Sequence, residues 1–168
     1  MITVSEAVEI RAPAEAVFAY VDDIRNLGWH MTGRSSMAML GSRLRLEILS
    51  DQPTGLGATY RYSGTMMGFS IDFSESVTKY LPPREKVWRT IGRSRLLIIA
   101  SYEMRVAVEP LSASSSSRLT ISIVYDLPRS GFWRSVALLL ARPYSRWCLR
   151  EMLKGAKLAL EAKAGVTA

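Results

Sequence analysis

RSGFWRSVALLLARPYSRWCLREMLKGAKLALEAKAGVTA, residues 129–168, is the stretch on which the fold turns. Phe132, Val136, Leu139, Leu140, Tyr144 and Trp147 recur at helical spacing, and Met152, Leu153, Ala156 and Leu160 carry the pattern on. That period predicts one long helix with a wide apolar face. Arg142, Arg146, Arg150 and Lys154 fall every fourth residue and line one basic ridge of the same helix. Pro143 is expected to kink or divide it near Ala141, because proline removes an amide hydrogen from the helical ladder. A helix with so wide an apolar face needs a concave partner.

The residues upstream supply one. Thr3 to Arg11 alternates as a first strand, with Val4, Ala7 or Val8, and Ile10 expected inward and Glu6 and Glu9 outward. Ala12-Pro13 ends it, and Pro13 opens a helix over AEAVFAYVDD. Asp22 or Asp23 then caps a short second helix, IRNLGW, broken at Gly28. From Ser36 to Tyr125 the chain reads as strands: SMAMLGSRLRLEIL, ATYRYSGTM, FSIDFSESVTKY, EKVWRTI, LLIIASYEMRVAVEP and RLTISIVYDLP. Glycine, proline and serine clusters punctuate them. The expectation is an α+β fold of seven antiparallel strands, two short helices after the first strand, and a long terminal helix.

Composition sets outer bounds. A chain of 168 residues, 48% hydrophobic and 22% charged, suits one globular domain over 1–168 with a sizeable core. One cysteine, Cys148, excludes an internal disulfide framework and fits a reducing cytoplasm. The N-terminus carries acids where a signal peptide needs a basic region, so a cytoplasmic location is expected. VALLLA at 136–141 is too short to span a bilayer. The net charge of +7 is concentrated at the C-terminal end, where eight Lys and Arg face Glu151 and Glu161. Such an end is either a solvated helix face or an attractor of an anionic ligand, membrane surface or nucleic acid.

Three segments carry a family resemblance. VEIRAPAEAVFAYVDDIRNLGWH (8–30), SVTKYLPPREKVWRT (76–90) and SRLTISIVYDLP (117–128) with the following helix stand in the order found in the SRPBCC superfamily. The chain resembles its helix-grip domains, which include START, Bet v 1-like and polyketide cyclase/dehydrase-like proteins. The resemblance implies a seven-stranded sheet gripping the last helix around an apolar cavity. It implies no single activity, since members include lipid carriers, hormone receptors and aromatase/cyclases, and no catalytic motif carries over residue by residue.

The chemistry legible in the residues is sparse. No CxxC, HExxH, G-x-S-x-G, P-loop or dinucleotide fingerprint occurs, so no metal or cofactor is expected. His30, Tyr62 and Tyr102 are the candidates for proton transfer, none with an evident partner. Tyr60, Tyr62, Trp88, Tyr102, Tyr125 and Trp147, with Met66, Phe73 and Met104, form an amphipathic set suited to an apolar ligand. The same side chains also suit a plain core. Asp72, Glu75, Arg61, Arg89 and Arg105 read foremost as surface ion pairs, because charges are rarely buried. The alternative is a buried arginine anchoring a ligand carboxylate or phenolate, and a one-residue register slip would turn any of them over. Cys148 reads as a packed small hydrophobe.

The reading that follows is binding of a small hydrophobic ligand, lipid-like or aromatic and polyketide-like, between sheet and helix. Alternatives are a cyclase, aromatase or dehydratase using the same cavity, or association of the basic helix with an anionic membrane. Nucleic acid ranks last, for want of a recognition motif.

Overall fold

The computed structural model describes residues 1–28, 43–66, 68–112 and 115–164. In chain order the elements are β1 (Ile2–Ile10), α1 (Ala14–Asp22), α2 (Ile24–Leu27), β2 (Arg43–Ile48), β3 (Thr59–Met66), β4 (Phe69–Leu81), β5 (Glu85–Arg95), β6 (Ser101–Pro110), β7 (Ser117–Asp126) and α3 (Phe132–Ala164). The strands form one antiparallel sheet in the order β1-β7-β6-β5-β4-β3-β2. Each strand feeds its neighbour by a hairpin except the first, which α1 and α2 separate from the opposite edge. The register between β4 and β5 shifts between Asp72 and Ser74 and again between Val77 and Lys79. Such bulges bend a strand and increase its twist, which suits a sheet that must curl round a helix.

Period-two alternation decides which side chains line the concave face. On β3 it buries Tyr60 and Tyr62, and on β4 it buries Ile71, Phe73, Glu75 and Val77. On β6 and β7 it turns Met104, Val106, Val108, Leu119, Ile121, Ile123 and Tyr125 inward. On β1 the inward phase carries Val4, Val8 and Ile10, and Glu6 falls in that phase. Glu6 therefore meets the last helix, with Arg146 at 3.0 Å and Arg150 at 3.4 Å, and not bulk solvent as expected.

Local chemistry sets the helix ends. Asp23 caps α2, its carboxylate accepting from the Arg25 amide at 3.0 Å. Asp22, the other capping candidate, reaches across to β5, where the Lys86 ammonium donates to its carboxylate at 2.9 Å and to its carbonyl at 2.6 Å. The Tyr80 hydroxyl donates to the second carboxylate oxygen at 2.8 Å.

Two expectations change. α3 runs unbroken through Pro143, so the proline does not divide it. Its buried face in the first half is Ala137, Ala141, Ser145 and Leu149, a row of mostly small residues at i, i+4 spacing. The large apolar residues of that half, Phe132, Leu138, Leu139 and Leu140, are exposed. The second change concerns LLIIASYEMRVAVEP, where strand begins only at Ser101. β5 instead extends to Arg95, and 96–99 leaves the ladder. A strand would turn alternate residues of this apolar run outward, whereas the irregular turn aims Leu96, Leu97, Ile98 and Ile99 at one apolar chamber.

Candidate functional site

Two adjoining chambers lie between the sheet and α3. The inner one, about 100 Å³, is enclosed by Ile24 and Leu27 of α2, Tyr62 and Met66 of β3, Phe73 and Glu75 of β4, Trp88 of β5, Tyr102 and Met104 of β6, and Tyr144, Cys148 and Met152 of α3. The outer one, about 360 Å³, continues between the 96–99 turn and Trp133, Val136, Leu140 and Pro143 of α3. Met66, Leu96, Ile99 and Tyr144 belong to both walls. Their walls are almost wholly apolar, as a site for a small hydrophobic molecule requires.

One polar pole interrupts the inner wall. Glu75 is 1% exposed, and its carboxylate accepts a hydrogen bond from the Tyr102 hydroxyl at 2.5 Å and another from the Trp88 side chain. Burial pushes its pKa up from 4.5 to about 7, against those two bonds and the Lys86 charge, all of which pull it down. Lys86 gives little relief because its ammonium is bound to Asp22, held 5.8 Å from the Tyr60 and Trp88 ring centres. Burial lowers the Lys86 pKa, and the Asp22 carboxylate opposes that. Tyr62 stacks on Phe73 at 5.0 Å, and its buried hydroxyl has no hydrogen-bond partner among the described residues. Burial holds the pKa values of Tyr62 and Tyr102 well above 10, so both stay protonated donors.

Of the side chains singled out in the sequence, Tyr62, Met66, Phe73, Trp88, Tyr102 and Met104 meet around the inner chamber. Tyr60, Tyr125 and Trp147 do not line either chamber. Tyr60 is buried and donates to the Pro53 carbonyl at 2.7 Å. Tyr125 is buried in the core. Trp147 stands beside the lining residue Cys148 on the helix and packs on Tyr144, ring centres 6.2 Å apart. His30 lies outside the described residues. Arg61 and Asp72 form a surface pair at 2.8 Å, Arg105 pairs with Glu85 at 2.6 Å, and Arg89 is exposed.

Glu75 is the correction among the charged residues, being buried in the site and not on the surface. A signal for it exists in β4, since Ile71, Phe73, Glu75 and Val77 are spaced by two and share a face. Tyr144 and Cys148 of the lining hydrogen-bond to one another, and burial pushes the Cys148 thiol up to about 12, leaving it inert near neutrality.

A curled antiparallel sheet closed by a terminal helix over an apolar cavity is the helix-grip architecture of the SRPBCC superfamily. The chain belongs to its family described as polyketide cyclase / dehydrase and lipid transport, whose profile matches residues 1–161. Among solved structures it is similar to the protein TTHA0849 from Thermus thermophilus, with a TM-score of 0.70 and 16% identity over 96% of this chain and 99% of that one. The ZhuI aromatase/cyclase from Streptomyces sp. R1128 superposes with a TM-score of 0.67 at 17% identity, covering 97% and 95% of the two chains. Norcoclaurine synthase from Thalictrum flavum, in complex with dopamine and hydroxybenzaldehyde, gives 0.63 at 17% identity over 95% and 87%. At these identities the likeness is one of fold. No protein of curated function matches the chain by sequence.

Proposed function

We propose that the protein binds a small hydrophobic molecule, lipid-like or aromatic and polyketide-like, with one polar end seated against Glu75, Tyr102 and Tyr62. The observation that carries this reading is the Tyr62 hydroxyl, buried and without a hydrogen-bond partner among the described residues, on a largely apolar wall that it shares with Glu75. An unsatisfied buried hydroxyl costs about 1–3 kcal/mol, which a ligand hydroxyl or carbonyl at this position would recover. The apolar outer chamber accommodates the remainder of such a molecule. Native mass spectrometry of protein purified from its own source, followed by organic extraction, tests the reading. The expected result is a co-purifying apolar compound with a hydroxyl or carbonyl group, depleted in a Tyr62→Phe, Glu75→Gln double variant. Equal retention by the variant would refute the polar pole.

The raised pKa of Glu75 favours a second reading, a cyclase-type enzyme in the same cavity. The Glu75 carboxylate takes a proton from the carbon beside a substrate carbonyl, while the Tyr62 hydroxyl hydrogen-bonds the oxygen that gains the electron pair. The resulting carbon nucleophile closes on a second carbonyl of the same chain, and Glu75 returns its proton to the new alkoxide. Exchange of such a carbon-bound proton with deuterium from solvent, present in the wild type and absent in Glu75→Gln, separates this from binding alone.

A further inference from the structure

The first three turns of α3 bury Ala137 and Ala141 and expose Phe132, Leu138, Leu139 and Leu140, the reverse of an ordinary amphipathic helix. Phe132 is 74% exposed, Leu138 62% and Leu139 77%. Exposed Phe69, at the turn from β3 into β4, adds to the same end of the molecule through an edge contact with Trp133 at 4.9 Å. Helical spacing sets Phe132, Val136, Leu139 and Pro143 in one stripe, and Val136 and Pro143 also wall the outer chamber. This apolar patch is therefore the rim of the cavity. Single exposed leucines need no explanation, whereas a contiguous set at a cavity rim does.

Charge identifies what covers it. From Phe132 to Arg150 the helix holds Arg134, Arg142, Arg146 and Arg150 and no acid, and Arg129 lies just before it. Arg146 and Arg150 share the single carboxylate of Glu6, so this stretch of the helix keeps a positive excess. Arg93 and Arg95, also exposed, precede the 96–99 turn on the other wall. A second copy of the chain would bring these cations face to face, and an aqueous surface would leave the leucines uncovered. An anionic lipid surface satisfies both the apolar stripe and the arginines.

We propose that the rim formed by Phe132, Leu139 and Leu140, with Arg142 on the helix and Arg93 and Arg95 on the facing wall, docks on an anionic membrane, so that the cavity opens toward the acyl chains. The route of the ligand rests on the binding function proposed above, whereas the docking itself does not. Of the basic ridge at 142–154 the docking face uses Arg142, and Arg146 and Arg150 reach back to share Glu6 of β1.

The test is co-sedimentation with vesicles of phosphatidylcholine alone or mixed with phosphatidylglycerol, for the wild type, Leu139→Glu and Arg142→Glu. Leu139 and Arg142 line neither chamber, and thermal unfolding followed by circular dichroism checks that each variant folds. Wild type is expected on mixed vesicles and not on phosphatidylcholine. Leu139→Glu is expected to bind at least about tenfold more weakly, from lost apolar burial, and Arg142→Glu about fivefold or more. Unchanged binding in the folded variants, or equal binding to both vesicle types, overturns the proposal. So does a dimer in sedimentation velocity that Leu139→Glu dissociates while vesicles go unbound. Uptake of the apolar dye N-phenylnaphthylamine without vesicles is read in parallel. Dye uptake without vesicle binding refutes docking and leaves the cavity intact, and vesicle binding without dye uptake supports docking while counting against the cavity.

Discussion

Glu75→Gln tests the electrostatics of the cavity with the least change of shape. Glutamine keeps the size of the side chain and an oxygen for the Tyr102 hydroxyl, and it removes the titration. Burial raises the Glu75 pKa from 4.5 to about 7, so the folded chain keeps a proton that the unfolded chain has lost over that window. The stability this contributes is complete below about pH 4.5 and is lost as pH rises through about 7. At ~1.4 kcal/mol per pH unit, the full effect is about 3 kcal/mol, most of it falling between pH 5 and 8. Urea unfolding at several pH values, for wild type and variant side by side, cancels the titration of every other group. The wild type should lose roughly 2–3 kcal/mol relative to Glu75→Gln on going from pH 5 to pH 8. Parallel stability curves would refute the reasoning, for they would mean that water or a countercharge solvates the Glu75 carboxylate in the folded state.

Two further substitutions probe the packing. Tyr62→Phe should leave the ligand-free protein as stable as wild type or about 1 kcal/mol more so, since the hydroxyl it removes has no hydrogen-bond partner among the described residues; a loss above about 1 kcal/mol in chemical denaturation would show that the hydroxyl is bonded in solution. Ala141→Leu should cost about 1–3 kcal/mol by overpacking the closed face of α3, while Leu139→Ala stays within about 0.5 kcal/mol of wild type. The opposite ranking of their thermal midpoints would mean that the helix presents its leucines to the sheet.

The strands were legible because alternation is a local property that burial on one face enforces, and Tyr60, Tyr62, Ile71 and Phe73 lie where their spacing puts them. Orientation of the last helix was not legible. A hydrophobic pattern ranks Leu139 above Ala141, but close approach of a helix to a sheet rewards the smaller side chain, and only the assembled fold shows which requirement prevails. The turn at 96–99 was missed for a related reason: four consecutive apolar residues suit a buried strand and a cavity wall equally. Within the site, six of nine amphipathic side chains meet around one chamber, whereas Trp147 was included on hydrophobicity when its position on the helix sets it beside the lining. Glu75 escaped because its charge outweighed its phase in the strand.

The Lys86–Asp22 contact, which ties α1 to β5, also fixes the charge inventory of the interior. Among the described residues two carboxylic acids and one amine are buried there, and the amine is already matched by Asp22. With Glu75 protonated the set is neutral, and with Glu75 ionised it carries one uncompensated negative charge. Whatever neutralises that charge does so in competition with a proton. Across about pH 7 the charge of the interior therefore changes from neutral to singly negative, and with it the electrostatic character of the pocket wall. Selectivity in this pocket is a property of the medium as much as of its walls.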